Sequence, residues 1–369
     1  MESGTTAVQP KSLIDRIHYL AQFRERAVTV KQLFEFGSDP TPEKLLVAAQ
    51  FLHSELPVRL SHRVRELESL PYGLSETPSV GIVRDMYVES VRQLIELPHP
   101  KRTEDEERFN NLIEHIKQRH NNVVSIMAKG IQELKEAVGP DAVNPEIQAF
   151  LDRFYLSRIG LRMLIGQHTA LHQNSRPGYV GLISEQCLPT EVVQEAMANA
   201  RGLCLLHFGV APQVKLFCDP KLSFTYVPSH LHHMLFELLK NSMRATVEFH
   251  GIDKGVPPLI RIVVAEGVED VTIKISDEGG GIPRSGISRI WTYLYTTARP
   301  PAPESHSPYQ SDFQAPMAGL GYGLPISRLY ARYFGGDLQV ISMEGYGTDA
   351  YLHLKRLGNA EEVLPKKLH

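Results

Sequence analysis

The sequence predicts an α+β protein: an N-terminal helical bundle followed by an α/β sandwich. From about 11 to 172, apolar residues recur at spacings of three and four, and strand-like alternation is almost absent. The segment QNSRPGYVG at 173–181 is a linker by composition. Beyond it, short runs rich in Val and Ile interleave with helical ones. The chain of 369 residues is long enough for two domains, here 1–175 and 176–369.

The helical half divides as follows. Residues 11–27 have amphipathic character, and further helices fit 41–55 and 79–96. Leu112, Ile113, Ile116, Val123, Val124 and Met127 trace one face of a long helix from about 104 to 137, which stops at Gly139-Pro140. FLDRFYLSRIGLRMLIGQH lies in a helix from about 145 to 172. In the second half, QVKLFC, SFTYVP, LIRIVVAE, DVTIKISDE, DLQVISME and TDAYLHLKRL read as strands. Helices are expected at 229–249, near 284–296 and at 323–334. Helices interleaved with a mostly antiparallel sheet make a sandwich. Residues 299–318 carry five prolines and little periodicity, the pattern of a long loop or lid.

Bulk composition narrows the partners. The chain is 42% hydrophobic and 22% charged, with a net charge of -3. General nucleic-acid binding needs a basic surface, so no nucleic-acid partner is expected. No apolar run approaches the roughly 20 residues of a membrane helix. Cys187, Cys204 and Cys218 have no metal-type spacing and read as reduced structural thiols. The N-terminal MESGTTAVQPKS is neither a secretory signal nor a clear transit peptide.

Three blocks carry the chemistry. In HHMLFELLKNSMRA, residues 232–245, His233, Glu237 and Asn241 recur every four residues. On a helix this leaves successive side chains roughly 40° apart, so they form a narrow stripe, with Arg244 near its edge. The plain alternative is a solvated stripe in which Glu237 pairs with Lys240 or His233. DEGGGIP at 277–283 follows the strand VTIKIS directly. Its glycines let backbone approach a flat ligand, and Asp277 is placed to accept a hydrogen bond from an amine. GLGYGLPIS at 319–327 opens a helix, where Gly319, Gly321 and Gly323 can turn amides toward phosphate. Each block alone is weak. The order of all three, with a Pro-rich loop between the last two, is specific. No GxxxxGK[ST] loop, HRD or DFG motif is present, and Asp312-Phe313-Gln314 is only a near miss.

The combination resembles the ATPase superfamily of gyrase, heat-shock chaperones, sensor histidine kinases and mismatch-repair ATPases. That resemblance implies a histidine-kinase-like (Bergerat) sandwich using ATP and Mg2+. It makes Asn241 the metal ligand and Asp277 the adenine reader, with Gly279 and Gly281 shaping the base pocket. Gly319, Leu320, Gly321, Tyr322, Gly323 and Leu324 become the phosphate loop, beneath a lid near 296–318. Thr348 becomes a further nucleotide contact.

The runs PSHLHHMLFELLKNSMRATVE, YTTA and GLGYGLPISRLYARYFGGDL are more specific still. With LPVRL, LSETPSV, RHNNVV and FLDRFYLSRIGLRML in the helical half, they are similar to the mitochondrial pyruvate dehydrogenase kinases, plant-type ones above all. The resemblance covers nearly the whole chain. It implies a serine kinase of the mitochondrial matrix that phosphorylates and inactivates the E1 alpha subunit of the pyruvate dehydrogenase complex. It also implies a homodimer, and a bundle that serves regulation and docks the lipoyl domain of E2. Glu237 would be the general base, tuned by His233, and Lys240 and Arg244 would offset phosphate charge. A carboxylate is a weak base for a serine hydroxyl, so its role is positional as well. Thr296 and Thr297 of YTTA would begin the lid and touch nucleotide.

Two further sites follow from the resemblance. Tyr87, His120, Arg158 and Arg162 correspond to a pocket for a pyruvate-like anion, although Lys117 stands where an arginine is expected. Ordinary salt bridges within the bundle are the alternative for the two arginines. His120 is the candidate acceptor were the chain a true histidine kinase, but it continues an apolar face and reads as a bundle histidine. After LKRL the chain has only GNAEEVLPKKLH, without the tryptophan-bearing tail of animal forms; Trp291 is the only tryptophan. Two other functions stay open: a branched-chain 2-oxoacid dehydrogenase kinase, and a chaperone-like ATPase without phosphotransfer to protein.

Overall fold

The computed structural model describes residues 12–139, 143–172, 176–252, 255–296, 321–356 and 358–365. The chain forms two compact units, one of residues 1–26 and 41–147, the other of 27–40 and 148–369. The division falls inside a long helix and not at the linker composition near 175.

The first unit is helical. Helix α1 (Leu13–Leu20) opens with a capping box between Ser12 and Asp15. Helix α2 (Val30–Gly37), which sequence periodicity did not reveal, belongs to the second unit. Helix α3 (Pro42–Glu68) is capped by Thr41 and runs well past the predicted end at 55. Leu52, Leu56, Leu60, Val64 and Leu67 bury one side of it. Buried Glu55 accepts from Arg59 Nε at 2.9 Å, and Arg59 also donates to the Arg26 carbonyl at 2.6 Å. Packed against α3 are α4 (Pro78–Glu96) and α5 (Thr103–Arg119), and α4 in turn packs on α6 (Val123–Val138).

The single helix expected over 104–137 is therefore two. His120 and Asn122 lie at ψ near zero, with φ/ψ of -86°/6° and -90°/10°. Ile116 and Val123 are both buried on either side of the break. The apolar rhythm passes through the interruption and conceals it. The signal was the polar His-Asn-Asn run, because Asn readily leaves helical geometry.

Helix α7 (Pro145–Leu171), which belongs to the second unit from Gln148 onward, leads to β1 (Tyr179–Val180), β2 (Ile183–Cys187) and α8 (Pro189–Phe208). Strands β3 (Val214–Phe217) and β4 (Phe224–Tyr226) precede helix α9 (Pro228–His250). Then come β5 (Ile260–Glu266), β6 (Asp270–Asp277), α10 (Gly323–Tyr333), β7 (Asp337–Met343) and β8 (Gly347–Lys355). The main sheet has the order β3-β5-β6-β8-β7, antiparallel except for the β3–β5 pair, and β1-β2-β4 form a small second sheet. Strand β5 alternates buried and exposed residues, as a sheet with one covered face must. Ile262, Ile273, Ile275 and Leu352 pack with Met234, Leu235, Leu238, Leu239 and Met243 of α9 in one core.

The helix expected near 284–296 is absent. Three successive i to i+3 bonds, from the amides of Gly286, Arg289 and Thr292, wind only a 3-10 turn at Arg289–Trp291. Apolar Ile287 and Ile290 lie three apart, and Gly286 is a poor helix former, which suits the tighter turn. After β8, the Glu362 amide bonds the Val28 carbonyl at 2.8 Å, tying 27–40 to this unit. Burial pushes the Cys187 and Cys204 thiols up to about 12 and about 11, as inert structural cysteines require. No helix among the described residues is long and apolar enough to cross a membrane.

Candidate active site

Helix α9 begins with Pro228 in its first turn, where the missing amide costs nothing. It lays Met234, Leu238 and other apolar side chains on the sheet and carries the polar stripe on a different side. Glu237 is only 7% exposed and Lys240 only 2%. Their side chains meet at 2.7 Å, as the plain reading of the stripe allowed. A buried ion pair fixes the orientation of its carboxylate more than it stabilises the fold. The His233 ring lies 4.8 Å from that of Tyr330 on α10. One turn earlier, His230 is buried against Tyr330, Tyr333 and Phe334. Burial, with His233 and Arg162 adding to it, lowers its pKa to about 3. Arg244 approaches Glu248 at 3.8 Å. Asn241 is half-buried, and its amide has no hydrogen-bond partner among the described residues. Its carbonyl oxygen is a hard donor of the kind Mg2+ takes, so the residue fits a metal ligand by chemistry and access.

Asp277 ends β6, nearly buried. Its Oδ1 accepts from the amides of Gly279 at 3.0 Å and Thr348 at 3.2 Å. Burial pushes its carboxyl above the usual carboxylate range, against the pull of the Ser242 hydroxyl and those two amides. Thr348, placed at this site by resemblance, thus touches Asp277 directly and also meets Ser342 Oγ at 2.9 Å. Ser242 was missed in the sequence. It follows Asn241 off the stripe, and no periodicity marks it.

The glycines are needed for close backbone crossings. A Cβ on Gly279 would lie 2.7 Å from Ala245 Cβ and 2.8 Å from the Thr246 nitrogen, where β6 exits over α9. Gly281, at φ +68°, would place one 2.1 Å from the Met343 carbonyl oxygen. These two are consumed by contacts within the protein, and they shape the floor beside Asp277 through backbone alone.

The third block is described from Gly321 onward; Gly319, Leu320 and Thr297 lie outside the described residues, as does nearly all of the expected lid. Gly321 has φ +77° and leaves no room for a side chain beside the carbonyl of Tyr295. Thr296 is exposed. Leu294 takes φ +62°, a left-handed conformation rare for such a residue. The Tyr322 side chain is buried between Tyr155 and Tyr293, at ring separations of 5.7 and 5.3 Å. Leu324 packs at the edge of the core. Gly323, the first residue of α10, sits on Glu237: a Cβ there would be 2.1 Å from Oε2. The carboxylate of the first block and the glycine loop of the third are therefore in contact.

The remaining candidates are placed within their own units. In the first, the Tyr87 and His120 rings are 4.5 Å apart, and His120 Nε2 lies 2.9 Å from Ser90 Oγ. His120 caps the end of α5 and does not continue a helix face. It is buried and hydrogen-bonded, unlike an exposed phosphate acceptor. In the second, Arg158 and Arg162 lie one turn apart on α7, the former buried and the latter half-buried.

Comparison with known proteins places these blocks in context. Residues 27–184 match the family model described as mitochondrial branched-chain alpha-ketoacid dehydrogenase kinase. Residues 226–357 match the histidine kinase-, DNA gyrase B-, and HSP90-like ATPase. A mitochondrial pyruvate dehydrogenase (acetyl-transferring) kinase of Arabidopsis thaliana is 54% identical, over 96% of this chain and 97% of its own. That of Schizosaccharomyces pombe is 39% identical, over 97% and 100%. Isozyme 1 of Rattus norvegicus is 42% identical, over 98% and 85%.

Proposed function

The chain belongs to the family of mitochondrial pyruvate dehydrogenase kinases, and on that premise we propose that it transfers a phosphoryl group from ATP to serine of pyruvate dehydrogenase E1 alpha, inactivating it. The observation that carries the mechanism is the seating of Glu237 between Lys240 and Gly323. A general base must be held within hydrogen-bond reach of the attacking hydroxyl. The Lys240 ammonium fixes one carboxylate oxygen, and Gly323 admits the other to the end of the phosphate loop, where α10 begins. Lys240 thereby acts on the nucleotide through Glu237. Asp277, with Gly279, Gly281 and Thr348, reads the adenine amine. Gly321, Tyr322, Gly323 and Leu324 offer backbone to the phosphates, Tyr322 without its buried side chain. Asn241 would hold Mg2+, which when bound neutralises phosphate charge.

The helical first unit and its neighbours serve regulation and docking in this reading. Its partners are the lipoyl domain of E2 and a second copy of the chain. Tyr87, His120, Arg158 and Arg162 answer a pyruvate-like anion, and the protein works in the mitochondrial matrix. A second reading, the branched-chain kinase, is favoured by the family model over 27–184.

The test is transfer from labelled Mg-ATP to pyruvate dehydrogenase E1, to branched-chain E1, or to neither. Acid-stable label on pyruvate dehydrogenase E1 is expected, lost in Glu237→Gln. Label on branched-chain E1 alone supports the second reading. ATP hydrolysis without labelled protein refutes both.

A further inference from the structure

Helix α7 holds a group of side chains that the reaction described above does not use. Tyr293, two residues beyond the 3-10 turn, is almost completely buried. Its hydroxyl donates to Asp152 Oδ1 at 2.6 Å. Its backbone amide donates to Gln148 Oε1 at 2.8 Å. Gln148 and Asp152 are one turn apart on α7, so one helix face grips both the backbone and the side-chain tip of one residue. Tyr155, on the next turn, stands 5.4 Å from the Tyr293 ring and 5.7 Å from the Tyr322 ring. Tyr293 and Tyr322 complete the triangle at 5.3 Å.

The two clamped tyrosines flank the nucleotide machinery. Tyr322 is the N-cap of α10, and the next residue is the Gly323 that touches Glu237. Gly321, before it, fits directly against the Leu294 and Tyr295 backbone. Leu294 is held at φ +62°, a strained conformation that persists only where neighbours impose it. Gln148 and Asp152 grip the residue immediately before it.

We propose that Asp152 and Gln148 are positioning residues for phosphoryl transfer: through Tyr293 and the Tyr155–Tyr322 stack they fix the 321–323 backbone, and with it the Glu237 carboxylate. The inference rests on reading the glycine loop as the phosphate site. Neither residue touches substrate, and neither lies in a sequence block that marks the nucleotide fold. A hydrogen bond to a carboxylate sets the register of a loop more than 100 residues away in the chain.

Trp291 supplies the readout. It is the sole tryptophan, two residues from Tyr293, and the Arg328 guanidinium lies 4.4 Å from its ring centroid. Mg-ADP is titrated into the full-length protein, followed by Trp291 fluorescence and by calorimetry. E1 phosphorylation is measured alongside, with kcat and KM for ATP separated. The variants are Tyr293→Phe, Asp152→Ala and Asp152→Asn. Tyr293→Phe and Asp152→Ala are expected to lower kcat by about tenfold, the loss of one charge-assisted hydrogen bond, and to alter Trp291 emission. Asp152→Asn, which keeps an acceptor oxygen, is expected to stay within about threefold of native. Native kcat in folded Tyr293→Phe and Asp152→Ala overturns the proposal. So does a loss that Asp152→Asn shares in full, or one that merely follows a fall in melting temperature. If native protein binds no Mg-ADP, the nucleotide-site reading itself fails, a result distinct from unchanged binding and rate in the variants.

Discussion

Gly323→Ala tests the contact on which the proposed mechanism depends. An ideal Cβ at Gly323 lies 2.1 Å from Glu237 Oε2 and 3.1 Å from Cδ, whereas ordinary contact begins near 3.4 Å. The carboxylate oxygen must therefore retreat by about 1.3 Å, the gap between 2.1 and 3.4 Å. Its retreat is constrained, because the other oxygen is held by Lys240 at 2.7 Å in a nearly buried pair. A misplacement of about 1 Å at a reacting group costs roughly a hundredfold in rate. That is about 2.7 kcal/mol of barrier. The assay is initial-rate phosphorylation of E1 at saturating Mg-ATP, with the melting temperature and Mg-ADP affinity measured beside it. The expected result is a loss of about two orders of magnitude in kcat in a folded protein that still binds nucleotide. Glu237→Asp added to Gly323→Ala should cost much less than it does alone, since a shorter side chain avoids the new methyl group. A kcat within about threefold of native, or a loss confined to nucleotide affinity, would falsify the claim that Gly323 positions the base.

Three other outcomes are expected. Gly279→Ala forces a methyl group to 2.7 Å from Ala245, which should destabilise the protein by about 1–3 kcal/mol in denaturant titrations and weaken Mg-ADP binding. Asp277 has a raised folded pKa, so its contribution to stability is present below the unfolded carboxylate range and is lost as pH rises through the folded value. Asp277→Asn should therefore leave the nucleotide-free protein at least as stable at neutral pH, while removing the rise in melting temperature that Mg-ADP confers on native protein. His230 behaves oppositely: its folded pKa of about 3 lies below the ordinary value of 6.5, so its contribution is present above 6.5 and is lost as pH falls toward 3. Between pH 7 and 5 this removes about 2 kcal/mol, and urea unfolding of His230→Phe should lack that component of the pH slope.

Local pattern marked the three candidate blocks of this chain more sharply than it marked the bounds of the helices around them. Helix α9 and its His233, Glu237, Asn241 stripe were legible because a spacing of four has one meaning on a helix. Asp277 was legible because three glycines follow it at a strand end. Even so, Gly279 and Gly281 turned out to be required by Ala245 and Met343, neighbours that no local window contains. Ser242 was invisible for the same reason, as were Gln148 and Asp152. Their partners lie far along the chain, and a single polar residue on a helix carries no mark of what it will bond. Helix α8 and the His120 break were hidden differently. The first carries its buried rhythm from Val192 and Val193 through Ala196 and Ala200 to Cys204, largely on small side chains that stand out little from their surroundings, and the second lies inside a rhythm that continues undisturbed.

The parallel pairing of β3 with β5 bears on how the protein assembles. Val214 pairs with Ile260 and Phe217 with Val263. A parallel pair cannot be closed by a tight turn, so the chain between them must travel back before the ladder can form. That return passage contains α9. The helix that carries Glu237 and Asn241 is thus also the crossover joining an edge strand to its sheet. Closure of so long a passage is entropically costly and is recovered only when α9 has docked its apolar face. The edge strand and the candidate stripe should consequently become ordered in one cooperative event, late in folding. Hydrogen exchange during refolding would show β3 and α9 gaining protection together, and no chain would hold a finished sheet beside an unformed candidate site.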